Sequence, residues 1–555
     1  MESAPESEPP RGDGRIPFTL RIGVTGHRDL ADPDVLRARV REAMGRLRDL
    51  VPVAPGAGLA LVVVSALAEG ADRLVAEEVL ADPDARLEVT LPLPVKKYAE
   101  DFKSETSKQE FHRLLARASD EPWQAPDGLA REEAYERAGR SVVDRCDALI
   151  ALWDGEKSRG RGGTAEIVGY AQEQGVPIAW VHTKGEPVVD YAFENSRAEV
   201  VKAAASKLSK YNTGTIDTAQ FDKHERELRK ELMPDVARKI PIDPLGLSRE
   251  TVADWVFPYF IRADILALRY QRQFRRLSWA IFALAALAVG VVAVQTNFWP
   301  GLNWLAVFEV LCLGGLLVIL GMNRRWRVHD QWISCRFLAE RLRSSYFLAL
   351  AQTGDRRGRS ARLAYLSDSS EAWIERALTE VSARRPELDS GSPPVKELRG
   401  YLNRHWITSQ IDYQRKTSGR QRTFDERLVR ATELLFLLTL VAAGVHIFAG
   451  LIFPAKEAGG GESPGFWEEL LVVVSITVPA VGAAFHGIGT QRQFRRHSER
   501  YLRMAGVLAQ VEAEMADATT LEQVQEVAAE TEQIMREENS DWFGVMRFHD
   551  MELIT

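Results

Sequence analysis

The sequence predicts an α/β fold with a doubly wound, Rossmann-like parallel sheet, followed by an α-helical transmembrane domain with four spans in two hairpins. Three observations predict it. Five short apolar runs alternate with helical patterns between residues 17 and 182. Four long apolar runs follow between residues 277 and 489. Arginines cluster at one end of each long run and are missing from the other.

Residues 1–16 are polar and proline-rich, with no charged-then-apolar leader pattern. They read as a disordered tail without a secretory signal. The five short runs are FTLRIGVT, LALVVVS, RLEVTLP, ALIALW and VPIAWV. Continuous apolarity over so few residues fits strands buried on both faces, as in a parallel sheet. Asp32 and Pro33 supply an N-cap and a first-turn proline for the helix between the first two strands. The resulting α/β domain is expected over residues 17–186.

In such a sheet a ligand sits beyond the carboxyl ends of the strands. The loops there are VTGHRDL (24–30), SALAEGADRLVAEE (65–78), PLPVKKYAEDF (92–102) and WDGEKSRGRGGTAEIVGYA (153–171). They supply the candidate nucleotide-binding residues Thr25, Gly26, His27, Arg28, Ser65, Glu69, Gly70, Asp72, Pro92, Asp154, Gly162, Gly163, Thr164 and Glu166. Gly162, Gly163 and Thr164 open a helix and make a candidate phosphate cradle, because small residues and free helix N–H groups let an anion approach. Arg28 and Arg161 would add positive charge, and Asp154 and Glu166 would hold ribose hydroxyls. Neither the P-loop pattern nor the G-x-G-x-x-G fingerprint is present.

A charged helical linker is expected over 187–250. A helix and the first hairpin follow over 251–350, with spans 277–296 and 303–322. A cytoplasmic connector is expected over 351–400. Residues 401–510 hold a helix and the second hairpin, with spans 434–454 and 469–489, and 511–555 a cytoplasmic C-terminal helix. About 20 helical residues cross a 30 Å hydrocarbon core. Arg272, Arg275, Arg276, Arg324, Arg325, Arg327, Arg427, Arg430, Arg492, Arg495 and Arg496 flank the spans on one side, against Lys456 alone in the connecting loops. That asymmetry places both termini and the large segments in the cytoplasm. Trp299, Trp304 and Trp467 sit where interfacial aromatics are expected. Glu309, His446 and His486 are polar residues within the spans and candidates for lining a pore. QRQFRR occurs at 271–276 and again at 491–496, and each hairpin lies between helices, as in a duplicated unit.

The net charge of −7 gives no global field for nucleic acid. Cys146, Cys312 and Cys335 are far apart, so neither a disulfide framework nor a metal site is expected.

The four loops together resemble the SLOG superfamily, the SMF/LOG-type Rossmann-like nucleotide-binding domains, over roughly the first third of the chain. The paired hairpins resemble the SLATT-like four-span membrane effector modules. The resemblance implies a nucleotide or nucleotide-derived second messenger as ligand, no permanently bound cofactor, a homo-oligomer in the bacterial inner membrane, and permeabilisation of that membrane during phage infection. Some superfamily members are enzymes that cleave nucleotides with a glutamate three residues after a Gly-Thr pair. Here Glu166 comes two residues after Thr164, and Ile167 takes the third place. One residue turns a helical side chain by about 100°. The loop is therefore expected to bind without turnover. The alternative is a membrane-tethered nucleotide N-glycosidase or deoxyribosyltransferase-like enzyme, with Glu166 and Asp154 as acid–base residues. A third reading makes the α/β domain an inert interaction module.

Overall fold

The computed structural model describes residues 12–156, 162–184, 189–192, 196–234, 244–302, 304–353, 372–388, 394–452 and 465–547. Arg161, the Lys456 loop, the connector over 354–371 and most of the N-terminal tail lie outside them. The chain forms two compact units, Met1–Asp217 with Gly354–Pro386, and Thr218–Thr353 with Glu387–Thr555.

The first unit is built on a seven-stranded sheet. Its strands are β1 (Phe18–Gly26), β2 (Leu59–Ser65), β3 (Arg86–Leu91), β4 (Trp123–Gln124), β5 (Ala148–Trp153), β6 (Ile178–His182) and β7 (Val189–Ala192), in the order β4-β3-β2-β1-β5-β6-β7. All neighbours are parallel except β6 and β7, which are antiparallel. The five expected strands form the body of the sheet. The all-parallel expectation is corrected by β7, whose residues alternate between half-buried and exposed, as on a one-sided edge strand. The two residues of β4 are too few to show a period.

Helices of this unit are α1 (Pro33–Asp49), α2 (Ala71–Val79), α3 (Val95–Ala99), α4 (Glu105–Leu115), α5 (Arg131–Arg145), α6 (Thr164–Glu173) and α7 (Ser196–Thr213). Asp32 caps α1 by accepting the Val35 N–H, with Pro33 in the first turn. The unit also holds segments that the sequence-based division assigned to linkers. Asn212, on α7, exchanges two hydrogen bonds with the backbone of Ile16 (3.0 and 2.7 Å). The helix Ala372–Ser382 docks through Arg376, whose guanidinium donates twice to Asp147 (3.0 and 2.5 Å). Glu380 on the same helix accepts from Thr19 and Arg86. Nothing local in either segment announces these partners, which lie 196 and 229 residues away in sequence.

In the second unit α8 is Thr218–Leu232, α9 Pro244–Phe298, α10 Trp304–Trp326 and α11 Val328–Leu350. After the helix Ala372–Ser382 of the first unit, which is α12, come α13 (Val395–Leu402), a π-helical turn (Asn403–Thr408), α14 (Ser409–Ile452), α15 (Phe466–Arg492), α16 (Phe494–Asp517) and α17 (Leu521–Arg547). Four of these, α9, α10, α14 and α15, carry segments long and apolar enough to cross a membrane. Between 6% and 22% of each apolar window is buried within the chain. Core helices of a water-soluble bundle would hide such residues, so the exposed apolar surface fits lipid. Pro258 lies inside α9, which runs unbroken into its span. The acidic C-terminal helix α17 packs on its own chain, with Glu532 near Arg341 (3.6 Å) and Glu538 on Arg500 (2.7 Å).

The duplicated unit is present as α9-α10-α11 and α14-α15-α16. Its marker is conformational. Arg327 ends α10 at φ +47° and Gln493 ends α15 at φ +44°, both left-handed, and each starts the next helix. Each donates its N–H four residues back, to Asn323 (2.8 Å) and Gly489 (3.0 Å). The two QRQFRR copies are not equivalent: one lies within α9, and the other straddles the α15–α16 junction.

Candidate functional site

Strand order reverses between β1 and β5. From β1 the chain builds outward through β2, β3 and β4 on one side, then returns to place β5 on the other. A crevice opens at the carboxyl ends of such a pair. A cleft of about 610 Å³ occupies this position. Of the candidate residues, Thr25, Gly26, His27, Arg28, Asp72, Pro92, Asp154, Gly162, Gly163 and Thr164 line it. Ser65, Glu69, Gly70 and Glu166 do not, and each has a supporting contact instead.

The β1–α1 and β2–α2 loops are locked together. His27 donates its N–H to Leu152 O (3.0 Å) and accepts from Ala71 N–H (3.0 Å). Gly70 has φ +81°, and a Cβ there would collide with the Arg28 carbonyl oxygen. Ser65 Oγ lies 3.3 Å from Asp72 Oδ2 and accepts the Leu67 N–H (3.0 Å). Asp72 also accepts the Ala68 N–H (3.3 Å). Burial pushes the Asp72 carboxyl up to about 6, against the opposing pull of the Ala68 and Ser65 hydrogen bonds and the Arg28 charge. Glu69 accepts from Ser107 Oγ (2.5 Å) and Lys103 N–H (3.2 Å), tying the loop to the start of α4.

At the β5 end, Asp154 is the centre of a polar cluster. Its carboxylate lies 3.0 Å from His27 Nε2 and 3.2 Å from Lys184 Nζ, and accepts the Glu156 N–H (3.1 Å). Burial is the largest single influence and raises the Asp154 carboxyl, but the Glu156, His27 and Lys184 contacts together outweigh it and hold the carboxyl well below the usual carboxylate range. The Asp154 N–H also points at His27 Nε2 (3.1 Å). A ring protonated on Nδ1 alone accepts from that N–H at Nε2, and a ring carrying a proton on Nε2 donates to the carboxylate.

The Gly162–Thr164 turn leads into α6. Gly162 has φ +78°, and a Cβ there would lie 2.8 Å from the Glu136 nitrogen, so the turn sits flush against α5. Glu166 reaches back to accept the Gly162 N–H (2.7 Å), as in the second half of a capping box, and its other oxygen is 4.0 Å from Arg140. Its carboxylate therefore braces the turn. Gly163, Thr164 and Ala165 face the cleft at the positive end of α6.

The sequence reading missed one wall. Arg131, Tyr135, Ala138, Gly139 and Val142 line the cleft from α5, with Tyr98 and Asp101 from α3 and the residues after it. Asp101 pairs with Arg131 and accepts from the Tyr135 hydroxyl. The Arg28 guanidinium stands 5.7 Å from the Tyr135 ring centroid. The signal is helical spacing: these α5 positions recur every three or four residues on one face, away from the strand-end loops that mark the rest of the site. On the opposite rim Trp153 packs against Trp180 (4.9 Å), and Trp180 stacks on His182 (4.0 Å). The cleft thus combines an exposed guanidinium, a helix N-terminus in a glycine-rich turn, and aromatic walls.

Glu309 is half-buried, and His446 and His486 are exposed, on three different membrane-length helices. In comparisons with known proteins the chain matches no family model and no curated protein.

Proposed function

We propose that the chain is a membrane-bound receptor and effector whose switch-point cleft binds a nucleotide-type ligand without turning it over, and whose four-span module responds by changing membrane permeability. One observation carries the reading: the cleft presents Arg28, the Gly162–Thr164 turn and the α6 N-terminus together, while both candidate acid–base carboxylates are committed to other contacts. Arg28 and the α6 N-terminus suit phosphate. Tyr135 and Trp153 offer faces for a base. The four-loop resemblance to SLOG domains supports the same ligand class, and the paired hairpins support a SLATT-like effector acting in anti-phage defence.

The ligand acts by binding two arrangements of the protein unequally, so the shift is bounded by its differential affinity. The chain passes between the first unit and the membrane-helix unit at three places, after α7 and on either side of α12. The arginine flanks support a cytoplasmic position for the cleft and both termini, and the receptor is proposed to work as a homo-oligomer in the inner membrane.

Liposomes carrying the full chain and loaded with a self-quenched dye test the reading. Nucleoside phosphates, cyclic oligonucleotides and ADP-ribose are added on the arginine-flanked side. One of these classes is expected to release dye. Arg28→Ala should raise the concentration needed by about tenfold or more, the loss of a charge-assisted hydrogen bond. Intact liposomes with a ligand demonstrably bound would refute the coupling.

A further inference from the structure

The two hairpins meet along a seam between α9 and α15. The Thr477 methyl lies against Gly290, at 3.5 Å from where a Cβ would stand. Phe282 covers Gly487 so closely that a Cβ there would sit 2.6 Å from the ring. Trp279 with Phe485 and Phe298 with Phe466 continue the contact (ring centroids 6.5 and 5.5 Å). Small residues that admit a partner's bulk are the usual basis of helix association in lipid.

The duplication supplies this seam twice over. On α14, Phe436 and Gly444 repeat the spacing of Phe282 and Gly290 on α9, eight residues apart. On α10, Gly321 and Leu311 stand as far before the left-handed Arg327 as Gly487 and Thr477 stand before the left-handed Gln493. One face of each kind is used within the chain; in the second pair Phe436 turns one ring edge to Gly482 of its own α15 (3.6 Å from a built Cβ there), and the remainder stands open. Gly321 and Gly444 have nothing within 4 Å of a built Cβ, and Phe436 and Leu311 are 51% and 62% exposed.

We propose that the open faces join between copies of this chain, α14 of one against α10 of the next, with Phe436 over the neighbour's Gly321 and Gly444 against its Leu311. This inference rests on the reading that the four helices cross a membrane. The interface is heterologous, so copies assemble head to tail and close into a ring when the rotation per seam allows.

Cysteine cross-linking of the full chain in membranes tests this, in a Cys312→Ala background so that no native thiol neighbours the probe. Chains with Leu311→Cys and one tag are co-expressed with chains carrying Gly444→Cys and another, then oxidised. A covalent adduct holding both tags is expected, in about tenfold excess over same-tag adducts. Adding Gly321→Leu to the first chain should cut it about tenfold, by filling the space the neighbour's Phe436 needs. Gly290→Cys with Thr477→Cys in one chain is the control and should close within that chain. A closed control without the mixed adduct, adducts of equal tags only, or a mixed adduct indifferent to Gly321→Leu would each overturn the proposal. Retention of the chain in carbonate-washed membranes reads the span assignment separately.

Discussion

Replacing Asp147 with alanine is expected to destabilise the sheet unit by about 3–5 kcal/mol, the range for removing one partner of a buried ion pair. The Asp147 side chain is fully buried and that of Arg376 is 9% exposed. The carboxylate accepts two guanidinium bonds and the Arg21 N–H (2.9 Å), so its loss removes two acceptors from a buried cation and one from a strand N–H together. Arg376 is on α12, far along the chain, and its guanidinium stands 5.6 Å from the Phe18 ring centroid. Hydrogen exchange on the full chain in detergent reads the effect. Amides of α12 should lose protection by about 100-fold or more, with β5 following. Asp147→Asn keeps an acceptor and should fall between wild type and alanine. Unchanged protection in α12 would mean that the helix is held by its apolar side alone.

Asp72→Asn is expected to stabilise the protein near neutral pH and to leave it unchanged in acid. An ordinary aspartate titrates near 3.9 when unfolded, and burial raises Asp72 to about 6 in the fold. With the folded value raised, the unfolded chain releases its proton first. The penalty is absent below about pH 4, grows between about 4 and 6, and is complete above that, at about 3 kcal/mol for a two-unit shift. Asparagine keeps an oxygen for the Ala68 N–H and the Ser65 hydroxyl without the buried charge. Urea unfolding of the full chain at pH 7.5 and pH 4 measures the difference. A gain equal at both pH values would show that charge is not the cause. The strain sits in a cleft residue beside Arg28, the usual place for a destabilised group kept for binding.

Much of the architecture was legible because the signals were local. Five apolar runs became the five central strands, and four long runs became the four membrane-length helices. The carboxyl-end loops fell around one cleft because strand order alone dictates where they gather. What escaped was non-local. Asn212 and Arg376 fall in segments that read as a charged linker and a connector, and only the fold brings them to Ile16 and Asp147. The α5 wall escaped because Tyr135 and Arg131 lie between strands on a charged helix, away from the strand ends, and Gly139 sits mid-helix and not at a turn that would mark a site. Glu166 was visible as a misplaced acid, and the structure gives it a partner in the Gly162 N–H. The QRQFRR copies suggest a repeat in the wrong register; its register lies in a left-handed residue that neither Arg nor Gln advertises.

The most direct test of the account is equilibrium binding of nucleoside phosphates, cyclic oligonucleotides and ADP-ribose to the full chain in detergent, followed by thermal unfolding, with each ligand recovered and identified afterwards. The account predicts that one class raises the unfolding midpoint, by about 2.7 kcal/mol of added stability at 100 times its dissociation constant, that Arg28→Ala weakens this, and that the ligand returns intact. A ligand returned as free base and sugar phosphate, or no class that binds the folded chain, would contradict it.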